Sequence, residues 1–195
     1  MSDALQEILT ASVTDRNESM VRHLLENPLV DPGLPDRRGE TALFRAVLNN
    51  DPVIMKMLLD TGRTLPNHLD GSGWTPLTYT SMMGRAELTE MLLDTPGIDP
   101  NVRDKTSWTP LLYASAGGFG RIVELLINSG ADPNAADRQH RSPLWWAVVN
   151  HHPNVVKLLM ATRKVDPRQG DRYHQSPLDV AKLESDVDMV GLLTP

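Results

Sequence analysis

The chain has 195 residues, 40% of them hydrophobic, and 25 acidic against 19 Lys and Arg side chains give it a formal charge of −6. It contains no cysteine, which excludes disulfides, thiolate catalysis and Cys-ligated zinc and fits a reducing compartment. No apolar run is long enough for a membrane span, and the acidic balance lacks the basic face interleaved with aromatics that nucleic-acid binding needs.

A Leu-Leu pair recurs at Leu24, Leu58, Leu92, Leu125, Leu158 and Leu192, stepping by 34, 34, 33, 33 and 34 residues. A period held this closely means one supersecondary unit stacked six times, a solenoid with no central core. At the start, residues 2–30 lack the block that opens the later units, and Ser2 with Gln6, or Asp3 with Glu7, would cap a first helix.

From residue 36 each unit opens alike. Thr41-Ala42-Leu43, Thr75-Pro76-Leu77, Thr109-Pro110-Leu111, Ser142-Pro143-Leu144 and Ser176-Pro177-Leu178 each begin a helix. The hydroxyl caps an orphan N–H, and Pro at the next position presets φ where no donor is needed. Five residues before each cap stands an aspartate (Asp36, Asp70, Asp104, Asp137, Asp171), and Asp-x-x-Gly at Asp36–Gly39 and Asp70–Gly73 is turn chemistry.

A second helix follows in each unit. Ile54, Met57 and Leu58 share one face at i, i+3, i+4 spacing, as do Leu88, Met91 and Leu92, then Ile122, Leu125 and Leu126, then Val155, Leu158 and Leu159. Pro52 and Pro153 sit in the first turn of two of these helices, and Gly, Asp or Pro clusters such as Asp60-Thr61-Gly62 and Asn128-Ser129-Gly130 end them. Leu125 is expected in the core. Lys182, Glu184, Asp186 and Asp188 charge the last unit, as a terminal repeat facing water requires.

This turn–helix–turn–helix–loop unit resembles the ankyrin repeat. Residues 104–136 with the trailing Asp137 match the family pattern almost end to end, and the endings Ile98-Asp99-Pro100-Asn101 and Val165-Asp166-Pro167 are similar to arrays common in filamentous fungi. The resemblance implies an all-α ankyrin-repeat solenoid of five to six helix-turn-helix repeats with degenerate caps. It forms a single domain over 1–195: a cap at 1–35, repeats at 36–69, 70–103, 104–136 and 137–170, and a cap at 171–195. The family's usual His after Thr-Pro-Leu is replaced by Phe44, Thr78, Leu112, Trp145 and Asp179. His151-His152 stands where the family has Gly-His, so a structural role is expected there rather than a metal site.

The family lines its groove with the residue before the tripeptide, the second residue after it, and the end of the first helix. Carried over, the first set reads Glu40, Trp74, Trp108, Arg141 and Gln175, and the second Arg45, Tyr79, Tyr113, Trp146 and Val180, with Met82 and Met83 at one helix end. Trp74 and Trp108 are expected to be exposed anchors. So aromatic a surface on a soluble chain points to binding. The first expectation is a cytoplasmic or nuclear module that needs no cofactor or metal and holds an unidentified protein partner in the groove. The alternative is a stand-alone binder or enzyme for a hydrophobic small molecule. It would run a cofactor-free cyclisation or isomerisation with Arg45, Arg141, Tyr79 and Tyr113 stabilising charge.

Overall fold

The structure, a computed structural model, describes residues 2–36 and 39–194, with the side chains of Ser2 and Asp3 outside that description. The expected first-helix caps by Ser2 or Asp3 therefore lie outside the described residues. Among the described residues there are twelve helices and no strand. They are α1 (Ser2–Thr14), α2 (Glu18–Glu26), α3 (Ala42–Leu48), α4 (Pro52–Asp60), α5 (Pro76–Met82), α6 (Ala86–Leu93), α7 (Pro110–Ala116), α8 (Gly120–Asn128), α9 (Pro143–Val149), α10 (Pro153–Ala161), α11 (Pro177–Leu183) and α12 (Val187–Leu193).

The helices start where the hydroxyls allow. Thr41, Thr75, Thr109, Ser142 and Ser176 accept the N–H of Phe44, Thr78, Leu112, Trp145 and Asp179 at 3.0–3.3 Å. Each bond satisfies one of the orphan donors of a helix terminus. Pro52 and Pro153 occupy the first turns of α4 and α10.

By its contacts the chain divides into two compact units, residues 1–80 with 87–99 and residues 81–86 with 100–195. In the first, α1 packs on α2 and α3, and α4 packs on α2 and α3. In the second, α7–α8, α9–α10 and α11–α12 form hairpins; α7, α9 and α11 pack side by side, as do α8, α10 and α12.

The buried members of the Leu-Leu pairs are Leu24, Leu58, Leu92, Leu126, Leu159 and Leu193. In the first three pairs the leading leucine is buried, and in the last three the trailing one. Leu125 is therefore half-buried and Leu126 fully buried, which corrects the expectation for Leu125. The buried faces read Ile54-Met55-Leu58, Leu88-Thr89-Leu92, Ile122-Val123-Leu126 and Val155-Val156-Leu159, so the deepest residues follow i, i+1, i+4 spacing. The array contracts by one residue only once, between Leu126 and Leu159, in step with Asp104 to Asp137.

The repeat at 70–103 has a different interior. Thr78, Thr80 and Thr89 are buried where the following repeat carries Leu112, Ala114 and Val123. Thr89 donates to the Thr80 hydroxyl at 3.0 Å, whereas the Ser81 and Ser115 hydroxyl oxygens are buried with no hydrogen-bond partner. An unmade buried hydrogen bond costs about 1–3 kcal/mol.

The turn between the helices of each hairpin has one left-handed residue: Arg16, Asn50, Gly84, Gly118, His151 or Ser185. At Gly118 (φ +73°) a Cβ would lie 2.5 Å from the His152 ring, whereas at Gly130 (φ +88°) it would meet nothing within 4 Å. Gly130→Ala is expected to lose about 1–2 kcal/mol from backbone strain alone. Gly118→Ala should lose that plus the steric cost of displacing His152. Equal urea midpoints for the two variants would contradict the packing of that ring over the turn.

Candidate functional site

The turn aspartates position the candidate residues. Oδ1 of Asp36, Asp70, Asp104, Asp137 and Asp171 accepts the N–H of Glu40, Trp74, Trp108, Arg141 and Gln175 at 2.8–3.0 Å. The carbonyl of each of these residues returns a bond to the aspartate N–H at 2.8–3.1 Å. The loop is closed twice, so the side chain before each helix leaves the turn in a fixed direction.

In the turns of Asp36, Asp104 and Asp137 the second carboxylate oxygen reaches the residue nine positions on. The Tyr113 hydroxyl donates to Asp104 Oδ2 at 2.6 Å, Trp146 Nε1–H donates to Asp137 Oδ2 at 3.2 Å, and Arg45 Nη2 lies 3.5 Å from Asp36 Oδ2. Arg45 Nε also approaches Glu40 Oε2 at 2.8 Å, but neither atom has a partner with hydrogen-bond geometry, so the contact is an ion pair without a directed bond. Arg141 is equally engaged: Nε donates to Asp137 Oδ2 at 2.9 Å and Nη2 to Gln139 Oε1 at 3.0 Å, and the guanidinium lies 4.3 Å from the Trp146 ring centre and 5.1 Å from that of Trp145.

Aromatic rings meet within each unit. In the first unit Tyr79 lies 6.0 Å from Phe44 and 6.4 Å from Trp74 between ring centres. In the second, Trp108 stands between Tyr113 at 4.8 Å and Trp146 at 4.9 Å, and Trp145 meets Trp146 edge-on at 5.1 Å. These are the tilted geometries that the ring quadrupole favours. Trp74 and Trp108 are half-buried rather than exposed, because the closed loop lays each ring against the tyrosine five residues on. Met82 is half-buried at the end of α5, and Met83 beside it is exposed. Trp145 went unmarked as a site residue although it extends the stack, and its Nε1 is buried without a partner.

Burial pushes the Asp104 carboxyl up, but hydrogen bonds from Tyr113, Thr106 and the amides of Trp108 and Thr106 outweigh it and hold the group below its ordinary value. Because the folded pKa is depressed, this carboxylate adds stability above the ordinary carboxylate range, near pH 4. That stability is lost as the pH falls through the folded value. Tyr113→Phe is expected to lose about 1.5–3 kcal/mol at pH 7, as for a hydrogen bond to a charged group. The loss should shrink as the pH falls below the ordinary carboxylate range and through the depressed folded value at which Asp104 takes up its proton. A difference from wild type that is as large at pH 3 as at pH 7 in chemical denaturation would contradict the assignment.

Arg45 lines an open cleft of about 360 Å³ with Glu7, Thr10, Ala11 and Thr14 of α1, and Asp15 and Asp36. Its guanidinium already faces two carboxylates there, so a ligand carboxylate would compete with Asp36 and Glu40. His152 Nε2 and Asn150 Nδ2 both meet the Ala116 carbonyl, at 3.0 and 2.8 Å, which ties the turn between α9 and α10 to the end of α7. Among the described residues no group of three or more His, Cys, Asp or Glu could hold a metal ion, and no helix is long and apolar enough to cross a membrane.

Turns closed by aspartate, hydroxyl-capped first helices and a leucine register repeated along the chain define a helical repeat protein. The family profile described as ankyrin repeats (3 copies) matches residues 8–104 and 96–171, and the chain belongs to the ankyrin repeat family. It is similar to an ankyrin repeat domain from Acinetobacter baumannii AYE, with a TM-score of 0.89 and 23% identity over 95% of each chain. No curated protein matches it. Ankyrin repeats typically serve in protein–protein interaction.

Proposed function

We propose that the chain is a protein-binding module whose principal contact surface is the aromatic stack of the second unit. The observation that carries this reading is the run Tyr113–Trp108–Trp146–Trp145, with ring centres 4.8–5.1 Å apart and Arg141 laid over its last two rings. The stack combines the residue types that dominate binding energy at interfaces, Trp, Tyr and Arg. Its side chains are held in place before a partner arrives, so little side-chain entropy remains to be lost on association. Met83 adds an exposed adaptable apolar contact from the end of α5.

The groups that could serve chemistry are occupied within the chain. Tyr113 donates to Asp104, Arg141 is bound by Asp137 and Gln139, and Arg45 faces Asp36 and Glu40. That pattern supports positioning of a surface over stabilisation of a reacting centre.

The test places a photo-crosslinking amino acid at Met83 or, as a control, at the exposed Val187 of α12, in cells that make the protein. A discrete crosslinked polypeptide from position 83 and not from 187 is the expected result. Crosslinking from 187 alone, or from neither position, would overturn the assignment.

A further inference from the structure

The charge of the chain is unevenly spread. The first unit, residues 1–80 with 87–99, holds 15 acidic side chains against 7 Lys and Arg, a net of −8. The second unit holds 10 against 12, a net of +2. The whole acidic excess therefore belongs to the first unit, whereas the stack of Trp108, Tyr113, Trp145 and Trp146 belongs to the second. A field of one sign raises the local concentration of oppositely charged partners and speeds their approach.

Two adjoining hollows in the first unit give a cationic partner a place to land. One, of about 400 Å³, is walled by Leu65, Pro66 and Pro96, and Leu65 is 51% exposed. The polar side chains beside it are engaged within the chain. Asn67 Nδ2 donates to the Gly97 carbonyl at 2.7 Å, Asn67 Oδ1 accepts the Asp99 N–H at 3.0 Å, and His68 Nε2 meets the Gly39 carbonyl at 2.8 Å. What this hollow offers an occupant is apolar contact.

The second hollow, of about 340 Å³, shares Pro96 with the first and is lined by Lys56, Leu59, Asp60, Met91 and Asp94. Lys56 Nζ pairs with Asp60 at 3.2 Å, but among the described residues no cation pairs with the exposed Asp94. Asp60 ends α4 and Asp94 directly follows α6, and neither helix has a basic residue in its last turn. A helix C-terminus attracts cations and repels carboxylates, so both aspartates act against the helices they end. Local choices that oppose stability in this way concentrate at functional sites.

We propose that the joined hollows dock a protein segment that is both apolar and basic. An apolar side chain of the partner enters the hollow of Leu65, Pro66 and Pro96, and a neighbouring Lys or Arg pairs with Asp94. The incoming cation also relieves the unfavourable charge at the end of α6. An acidic segment or a nucleic acid would meet the same carboxylate and the net of −8 around it. This surface lies wholly in the first unit and shares no residue with the aromatic stack, so it is a second contact region.

The test measures fluorescence anisotropy of a fluorescein-labelled dodecapeptide repeating Lys-Leu-Gly, added to the full chain. Comparison probes are Lys-Ser-Gly and Glu-Leu-Gly repeats and oligo-dT of equal length. The Lys-Leu-Gly peptide is expected to bind most tightly and to weaken with salt. Asp94→Lys should reduce its affinity about fivefold or more. That variant should melt no lower than wild type, because a cation suits the end of α6. Asp188→Lys makes the same change of charge in α12 of the second unit and should reduce affinity less. Leu65→Ser should weaken Lys-Leu-Gly binding and leave Lys-Ser-Gly binding unchanged.

Equal or tighter binding of any comparison probe overturns the proposal, as does no binding of Lys-Leu-Gly at low salt. Unchanged affinity in Asp94→Lys or in Leu65→Ser overturns it too. Equal losses in Asp94→Lys and Asp188→Lys would reduce the effect to net charge and remove the site. A comparable loss in Trp108→Ala would move the peptide to the stack. A dimer in sedimentation equilibrium that Leu65→Ser dissolves would assign the hollows to a second copy of the chain and likewise overturn the proposal.

Discussion

Leu126→Ala is expected to cost about 2–5 kcal/mol, the range for emptying a fully buried leucine site. Leu126 is completely buried in α8, which packs against both α7 and α10. Leu193 is almost as buried, in α12, the last helix of the array, which packs on α11 and α10. In a chain of nearest-neighbour couplings, a defect in the middle weakens interfaces on two sides, whereas a terminal defect frays one. Leu193→Ala should therefore shift the denaturant midpoint less and loosen α12 locally. Leu125→Ala, at a half-buried position, should fall below Leu126→Ala. Coincident midpoints for the Leu126 and Leu193 variants would contradict nearest-neighbour stacking.

Trp108→Ala is expected to weaken partner binding by about 2–4 kcal/mol, as central aromatic anchors do. It will not leave stability untouched, because Trp108 stacks on Tyr113 and Trp146 and is half-buried. Losing two such ring contacts should cost about 1–3 kcal/mol of folding free energy. The two effects separate when binding is measured well below the melting temperature, where variant and wild type are both folded. Unchanged affinity per folded molecule would make Trp108 a packing residue and remove it from the site.

The fold was readable from the sequence because its instructions are local. A hydroxyl followed by Pro caps a helix whatever surrounds it, and the aspartate closes its turn within four residues, as at Asp104 and Trp108. The leucine register was less legible. Both members of each pair fit a helical face, and only tertiary packing chooses between Leu125 and Leu126. The candidate site was legible in its residues and not in their bonding. Asp104 with Tyr113, Asp137 with Trp146 and Asp36 with Arg45 all share a nine-residue interval. A donor at that interval from a turn carboxylate is a signal that the sequence contains, although Tyr79, nine residues after Asp70, shows that the interval alone does not make the bond. Read without it, the same side chains pass for free groove residues.

The hydroxyl-rich interior of the 70–103 repeat is expected to set where the array opens first. Water can replace a Thr80–Thr89 hydrogen bond at little net cost, but it cannot replace the apolar contacts of Ala114 and Val123. Excursions that expose backbone should therefore begin in α5 and α6, ahead of α7 to α10. Native-state deuterium uptake resolved by helix would read this as early labelling of α5 and α6, and uniform labelling along the array would contradict it. Where binding stiffens a repeat array, the slack it removes lies in that one repeat.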